Sequence, residues 1–404
     1  MLTAECSCAI IIQMPLGLYI SVPFCRTKCT YCNFASDVFS RAVFENYIKR
    51  LCGEIRQATQ TAEQMGCVLD NAVDTIYFGG GTPTLLDVTQ LQKLFVTIRQ
   101  NFIVRPDAEI TVECAPGTLS EATLDALAEC GVNRVSLGVQ SFVDHEAASV
   151  GRLHKRQTVL DDIGRLRRAA IANINVDLIA GLPHQTRETW AQSLDELIAA
   201  DVPHASVYML EVDEDSRLGR ELIAGGQKYH AHFVPDEDLT ADLYETACDR
   251  LNAAGVAQYE ISNFARSGFE SRHNLKYWTR QAYLGFGVDA HSMLRARTGD
   301  EAMRFSNPDS LEQYVACEPA SRTRITRQSA LEESLFLGLR LNQGIDTESL
   351  RESFGDAFDQ QQPVLDDFLC QGLLERVGRC VRLTRRGRLL SNEVFQSFIP
   401  TPTN

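Results

Sequence analysis

Six short runs rich in β-branched and aromatic residues recur along the first half of this chain, at 16–22, 73–78, 109–114, 134–139, 174–179 and 205–210. Between them, segments 44–65, 88–101, 119–129, 159–170 and 188–200 carry apolar residues at helical spacing. Strands alternating with helices of this length predict βαβ units and a parallel sheet. Six units fall short of the eight that close a (βα)8 barrel, so an open or partial barrel is expected. Ligands of parallel α/β architectures sit at the C-terminal ends of the strands. The Gly-rich, polar and charged residues of this chain fall at those ends, which locates one site there.

A cysteine loop follows the first strand, in Tyr19-Ile-Ser-Val-Pro-Phe-Cys-Arg-Thr-Lys-Cys-Thr-Tyr-Cys-Asn-Phe34. Cys25, Cys29 and Cys32 are spaced C-x3-C-x2-C and can converge from one tight loop on a single inorganic centre. Iron–sulfur clusters are held by Cys thiolates; four complete a cubane, and three leave one iron open to a substrate or cofactor. Zinc competes for such thiols, but its closed sites want four ligands in paired units, and no second pair follows. The bland alternative is three unrelated buried thiols.

Other candidates end the later strands. Gly79-Gly80-Gly81-Thr82-Pro83 lets the backbone approach a ligand and offers unshielded N–H groups, although a Gly-rich turn alone is weak evidence. Glu113 closes the third strand, where a carboxylate can hold an ammonium group or a ribose, or simply face solvent. Gln140 ends the fourth strand, and Arg152 follows it with a guanidinium suited to clamping a carboxylate. Asp177 is a charge inside an apolar strand and needs a partner there, which a ribose hydroxyl pair would supply.

These motifs resemble the radical-SAM superfamily, and within it the branch related to oxygen-independent coproporphyrinogen oxidase. The resemblance spans residues 16–295 and continues more weakly beyond. It implies an α/β fold, a partial (βα)6 TIM-like radical-SAM barrel with a small C-terminal α/β domain. It also implies that Cys25, Cys29 and Cys32 ligate a 4Fe–4S cluster. By the same resemblance Tyr19, Tyr31, Gly80, Gly81, Thr82, Glu113, Gln140, Arg152 and Asp177 line an S-adenosylmethionine site. An electron donor such as flavodoxin or ferredoxin is the partner such a cluster implies.

Charge and cysteine usage narrow the surroundings. With 39 basic and 53 acidic residues the net charge is −14, which argues against a broad electrostatic grip on nucleic acid. Thirteen cysteines, scattered and odd in number, fit a reducing compartment better than a disulfide framework, and Cys6 and Cys8 form the one other close pair. Residues 9–12 are too short for a signal sequence, Glu5 spoils a basic flank, and no run approaches a membrane span. Met14 directly precedes Pro15 and the first strand, so residues 1–15 read as an N-terminal extension. The expectation is a cytoplasmic protein.

Four segments are expected: that extension, a core barrel over 16–235, a barrel-covering extension over 236–325, and a winged-helix-like module over 326–404. The third contains His273-Asn-Leu-Lys-Tyr-Trp278, with an imidazole, an amide and two large aromatics in six residues. Histidine is the commonest protein ligand to haem iron and aromatics suit a flat macrocycle, yet a lone His beside aromatics is more often a satisfied core residue. The motif resembles a signature of the HemW haem chaperones, non-oxidase relatives of the oxidase, and so implies that His273 contributes to haem binding. Two departures from the oxidase pattern agree. Phe34 stands where oxidases carry a fourth cysteine, and the segment before Cys25 is short. Ser21 departs from both groups, whose first strand usually carries a histidine there.

In the last segment, helices at 331–341 and 365–374 precede an expected hairpin around Gly378-Arg379 and a helix over 386–395. Six arginines lie between Arg376 and Arg388, which reads as a solvated hairpin in so acidic a chain. The function expected is a haem chaperone serving haem-accepting proteins, by peripheral contact where these are membrane-bound. The alternative is anaerobic decarboxylation of coproporphyrinogen III, and a third is an iron–sulfur scaffold without cofactor turnover.

Overall fold

The computed structural model describes residues 15–297, 301–318 and 320–399. The expected N-terminal extension, with Cys6, Cys8 and Met14, lies outside the described residues apart from Pro15. Strands β1 (Leu16–Val22), β2 (Ala72–Gly80), β3 (Ile103–Cys114), β4 (Arg134–Gln140), β5 (Asn173–Ala180) and β6 (His204–Met209) lie side by side in chain order, all parallel. Helices connect them. Their starts follow local chemistry: Asp87 and Gln90 form a reciprocal capping box for Val88–Asn101, and Thr186 and Thr189 do so for Arg187–Ala199.

The period-two pleat divides each strand into two faces. Leu16, Leu18, Ile20 and Val22 of β1, and Ile174, Val176 and Leu178 of β5, are buried in the main apolar core. The opposite face is small or polar: Tyr19 and Ser21, Thr75 and Tyr77, Glu109 and Glu113, Arg134 and Ser136, Asn175 and Asp177, His204 and Ser206. A closed eight-stranded barrel fills its interior with apolar side chains. This six-stranded one lines its lumen with polar groups and leaves a cavity of about 780 Å³.

Six short strands flank the parallel core in one twelve-stranded sheet. Tyr283–Phe286 pairs parallel to β1, and His291–Arg295, Ala302–Ser306 and Ser321–Ile325 continue antiparallel. At the other edge Asn263–Ala265 pairs antiparallel to β6.

The C-terminal module has its own core of Leu331, Leu335, Leu339, Phe358, Leu365, Val381 and Val394, joined by Ile261. Its antiparallel sheet contains the expected hairpin, Leu374–Val377 with Cys380–Leu383, plus the two-residue strand Ile345–Asp346. The helix expected over 386–395 is two pieces, Arg385–Leu389 and Ser391–Gln396, hinged at Leu390. Much of the basic run is neutralised: Arg385 reaches Glu245 and Asp249, Arg382 pairs with Glu375, and Arg379 with Asp346.

Candidate functional site

The cysteine loop leaves β1 at Pro23 and is pinched shut by a bridge between Phe24 and Asp37. Cys25 N donates to Asp37 O at 3.0 Å, and Asp37 N to Pro23 O at 3.0 Å. This closure turns twelve residues into one compact lobe from which Cys25, Cys29 and Cys32 all face the same cavity. None of the three is in a disulfide. Burial pushes the Cys25 and Cys32 thiols up from their ordinary range. Arg152 lies against the loop, with Nη1 3.5 Å from Cys29 Sγ and Nη2 on the carbonyl of Gly138.

The loop crosses the end of β2 where two glycines let it. Gly81 N donates to Val22 O at 2.9 Å, and Thr82 N to Phe24 O at 2.7 Å. A Cβ on Gly81 would lie 2.8 Å from both the Val22 and Phe24 carbonyl oxygens, so a larger residue would push the loop off the strand. Gly80, with φ of 98°, holds a conformation costly for side-chain-bearing residues.

Below the loop lies a buried set of carboxylates. Glu113 Oε1 accepts from Tyr77 Oη at 3.0 Å. Burial, reinforced by Asp177, raises the Glu113 carboxyl from 4.5 to about 7. Asp177 accepts from Ser136 Oγ at 3.0 Å and from Asn175 Nδ2 at 2.7 Å, and burial raises its pKa as well. Arg134, only 1% exposed, lines the same lumen with an Nε that has no partner among the described residues. Two carboxyls and an incompletely satisfied guanidinium in one polar cavity are groups awaiting a ligand.

Eleven of the thirteen residues singled out from the sequence line this cavity: the three cysteines with Tyr31, Gly80, Gly81, Thr82, Glu113, Gln140, Arg152 and Asp177. Tyr19 lies deeper, its ring 6.2 Å from Tyr77 and 6.4 Å from His273. His273 is not with the others. It opens the helix Arg272–Trp278, at the N-terminal end of the lumen. Its backbone N donates to Glu109 Oε1 at 3.0 Å, Nδ1 meets Thr75 Oγ1 at 2.9 Å, and Nε2 meets Tyr277 Oη at 2.8 Å. At 1% exposure, with burial lowering its pKa to about 3, it is a neutral ring with both nitrogens engaged. Lys276 of the same motif is buried too, 2.7 Å from Asp74 and 2.8 Å from Pro15 O. The motif plugs the floor of the barrel.

Residues 19–197 match the profile of the Radical SAM superfamily, and residues 325–390 that of the HemN C-terminal domain. A Bacillus subtilis protein named Heme chaperone HemW is 35% identical over 94% of this chain and 98% of its own. A Lactococcus lactis protein of the same name is 32% identical over 96% and 98%. The chain belongs to the HemW family. Among solved structures, coproporphyrinogen III oxidase (HemN) from Escherichia coli superposes with a TM-score of 0.79 at 26% identity, covering 95% of this chain and 90% of that one.

Phe34, which departs from the oxidase pattern, and Ser21, which departs from the pattern of both groups, now have places. Phe34 lies at the cavity mouth and is 64% exposed. Ser21 faces the lumen beneath Gly80, its Oγ 2.9 Å from where a Cβ on that glycine would lie. Sequence reasoning passed over Tyr77, Arg134, Ser136, Asn175 and Ser206, which line the lumen beside the expected residues. Their signal was available: each sits two residues from another inward position on its own strand or opposite one on the next.

Proposed function

We propose that this chain is a haem chaperone that binds haem, passes it to acceptor proteins, and keeps a 4Fe–4S cluster with S-adenosylmethionine in its lumen. Three thiols presented by one closed loop support the cluster, with a guanidinium at one sulfur to offset thiolate charge. The lumen fits the cofactor. The Gly80-Gly81-Thr82 turn presents backbone, Glu113 suits an ammonium group, Asp177 suits ribose hydroxyls, and Arg152 suits a carboxylate. Tyr31 and Gln140 complete the walls, with Tyr19 deeper, its ring beside that of Tyr77. When bound, the cluster and S-adenosylmethionine supply one-electron chemistry, while the protein's part is to orient them and keep water out.

What carries the chaperone reading is similarity to HemW proteins along nearly the whole chain, together with Phe34 in place of the oxidase's further cysteine. The fold-level likeness to coproporphyrinogen III oxidase supports a second reading, oxidative decarboxylation of coproporphyrinogen III. Acceptor proteins, an electron donor such as flavodoxin or ferredoxin, and a cytoplasmic site of action belong to the proposal. Among the described residues no helix is long and apolar enough to cross a membrane.

One preparation of anaerobically reconstituted chain decides between the two. Haem titration followed in the Soret band is expected to saturate, and incubation with coproporphyrinogen III, S-adenosylmethionine and reductant is expected to give no protoporphyrinogen. Turnover without haem uptake would reverse the assignment.

A further inference from the structure

Four of the eight histidines gather outside the lumen. His145 lies in the helix after β4, His184 in the turn after β5, and His230 and His232 in the segment that follows the helix Arg217–Ala224. The His184 ring is 4.6 Å from that of His145, 5.0 Å from that of His230 and 4.0 Å from that of Phe233, centre to centre. The His232 ring is 4.1 Å from that of Phe233, centre to centre. None of the four lines the cofactor cavity.

The site is built rather than accidental. His184 N donates to Phe233 O at 3.0 Å, locking the two turns together. The Glu221 carboxylate accepts from Tyr229 N at 2.8 Å and Ala231 N at 3.2 Å, folding the second turn back onto its helix. Both His184, with φ of 69°, and His230, with φ of 61°, hold the left-handed conformation, a cost the surrounding contacts must offset. Strain held in two touching histidines points to use rather than packing.

The ring chemistry differs from that of His273. His184 Nε2 and His230 Nδ1 lie 3.1 Å apart, so one imidazole orients the other and each keeps a second nitrogen outside that bond. A metal-ligating histidine is commonly oriented in this way, through its other ring nitrogen. Around the pair the surface is apolar and open: Phe233 is 47% exposed, and the adjoining helix shows Leu222 and Ile223 to solvent. A flat apolar ligand with a central metal matches this combination, whereas a bare ion would not use the aromatic and aliphatic face.

We propose that haem docks on this rim patch, the His184–His230 pair supplying the axial ligand and Phe233 lying against the macrocycle. The inference rests on the haem-chaperone reading and names where that protein holds its cargo. The patch shares its backing with the cysteine loop. Leu182 packs with Val150 and Ile179, Tyr31 packs against that cluster, and Leu218 N donates to Thr30 O at 2.8 Å. Cargo and cofactor therefore occupy separate sites, since none of the four histidines lines the cofactor cavity.

The test is a Soret titration of full-length, reconstituted protein with His184→Asn, His230→Asn, the double variant, Phe233→Ala and His273→Ala. Asparagine tolerates the left-handed backbone but cannot take the imidazole's place at iron. Each single Asn variant is expected to weaken haem binding roughly 10–100-fold, the double variant to shift the Soret maximum, and added imidazole to restore it. A double variant that titrates like the native chain overturns the rim site while leaving the chaperone reading intact. Native protein that takes up no haem overturns both.

Discussion

The floor and the rim of this barrel each hold imidazoles beside aromatic rings, in opposite states. At the floor, His273 has both nitrogens hydrogen-bonded and a backbone N–H anchored on Glu109. At the rim, His184 and His230 share one bond, stand in strained backbone and border exposed apolar surface. The first arrangement spends all its valence on holding strands together; the second keeps some for a ligand. Residue type alone does not separate them. The number of nitrogens left over does.

Perturbing each region should break different things. The largest effect belongs to the lumen: Cys29→Ser is expected to abolish cluster uptake on reconstitution while the chain still folds, read as iron content and visible absorbance. Retained iron would show that the triad is not the ligand set. At the floor, Lys276→Met removes the nearer of the two cations on Asp74, leaving Arg272 3.6 Å from its other oxygen, and should cost about 1–3 kcal/mol in denaturant unfolding. His273→Ala, which strands Thr75 and Tyr277, should cost about 1–3 kcal/mol and leave haem affinity unchanged. Loss of haem with native stability would instead return His273 to the role its motif suggests.

Glu113 offers a subtler probe. The folded, cofactor-free chain keeps this carboxyl protonated up to about 7, against an ordinary 4.5. Between those values the folded state binds more protons than the unfolded one, so stability falls as pH rises through the window. Glu113→Gln should flatten that slope and raise stability at pH 8 by about 1–2 kcal/mol, at the expense of S-adenosylmethionine binding measured by calorimetry. An unchanged pH profile would mean that a cation already neutralises the carboxylate. The smallest effect is expected at Arg385→Ala, which removes surface pairs to Glu245 and Asp249 and should change stability by less than about 1 kcal/mol.

Much of this was legible in the sequence. The parallel strands could be read because their outer faces are continuous apolar series, such as Ile174, Val176 and Leu178, and because Asp87 and Thr186 mark helix starts with local chemistry. The rim residues could be read because glycine, carboxylate and guanidinium cluster at strand ends. The polar lumen was harder: Arg134 and Asn175 look like strand beginnings until the register sets them beside Asp177. The short flanking strands between residues 283 and 325 are at most five residues long, too short for alternation to stand out. HNLKYW drew attention by its composition, yet its imidazole and ammonium are both consumed by Thr75, Tyr277 and Asp74. The rim histidines lie far apart in sequence, at 145, 184, 230 and 232, and only the fold assembles them.

Separation of cargo from cofactor is tested most directly by titrating haem into the Cys25→Ala, Cys29→Ala, Cys32→Ala triple variant, which cannot carry the cluster. The account predicts a Soret titration with the native end point and affinity, because the rim patch remains. Haem binding lost together with the cluster would place the cargo in the lumen and contradict it.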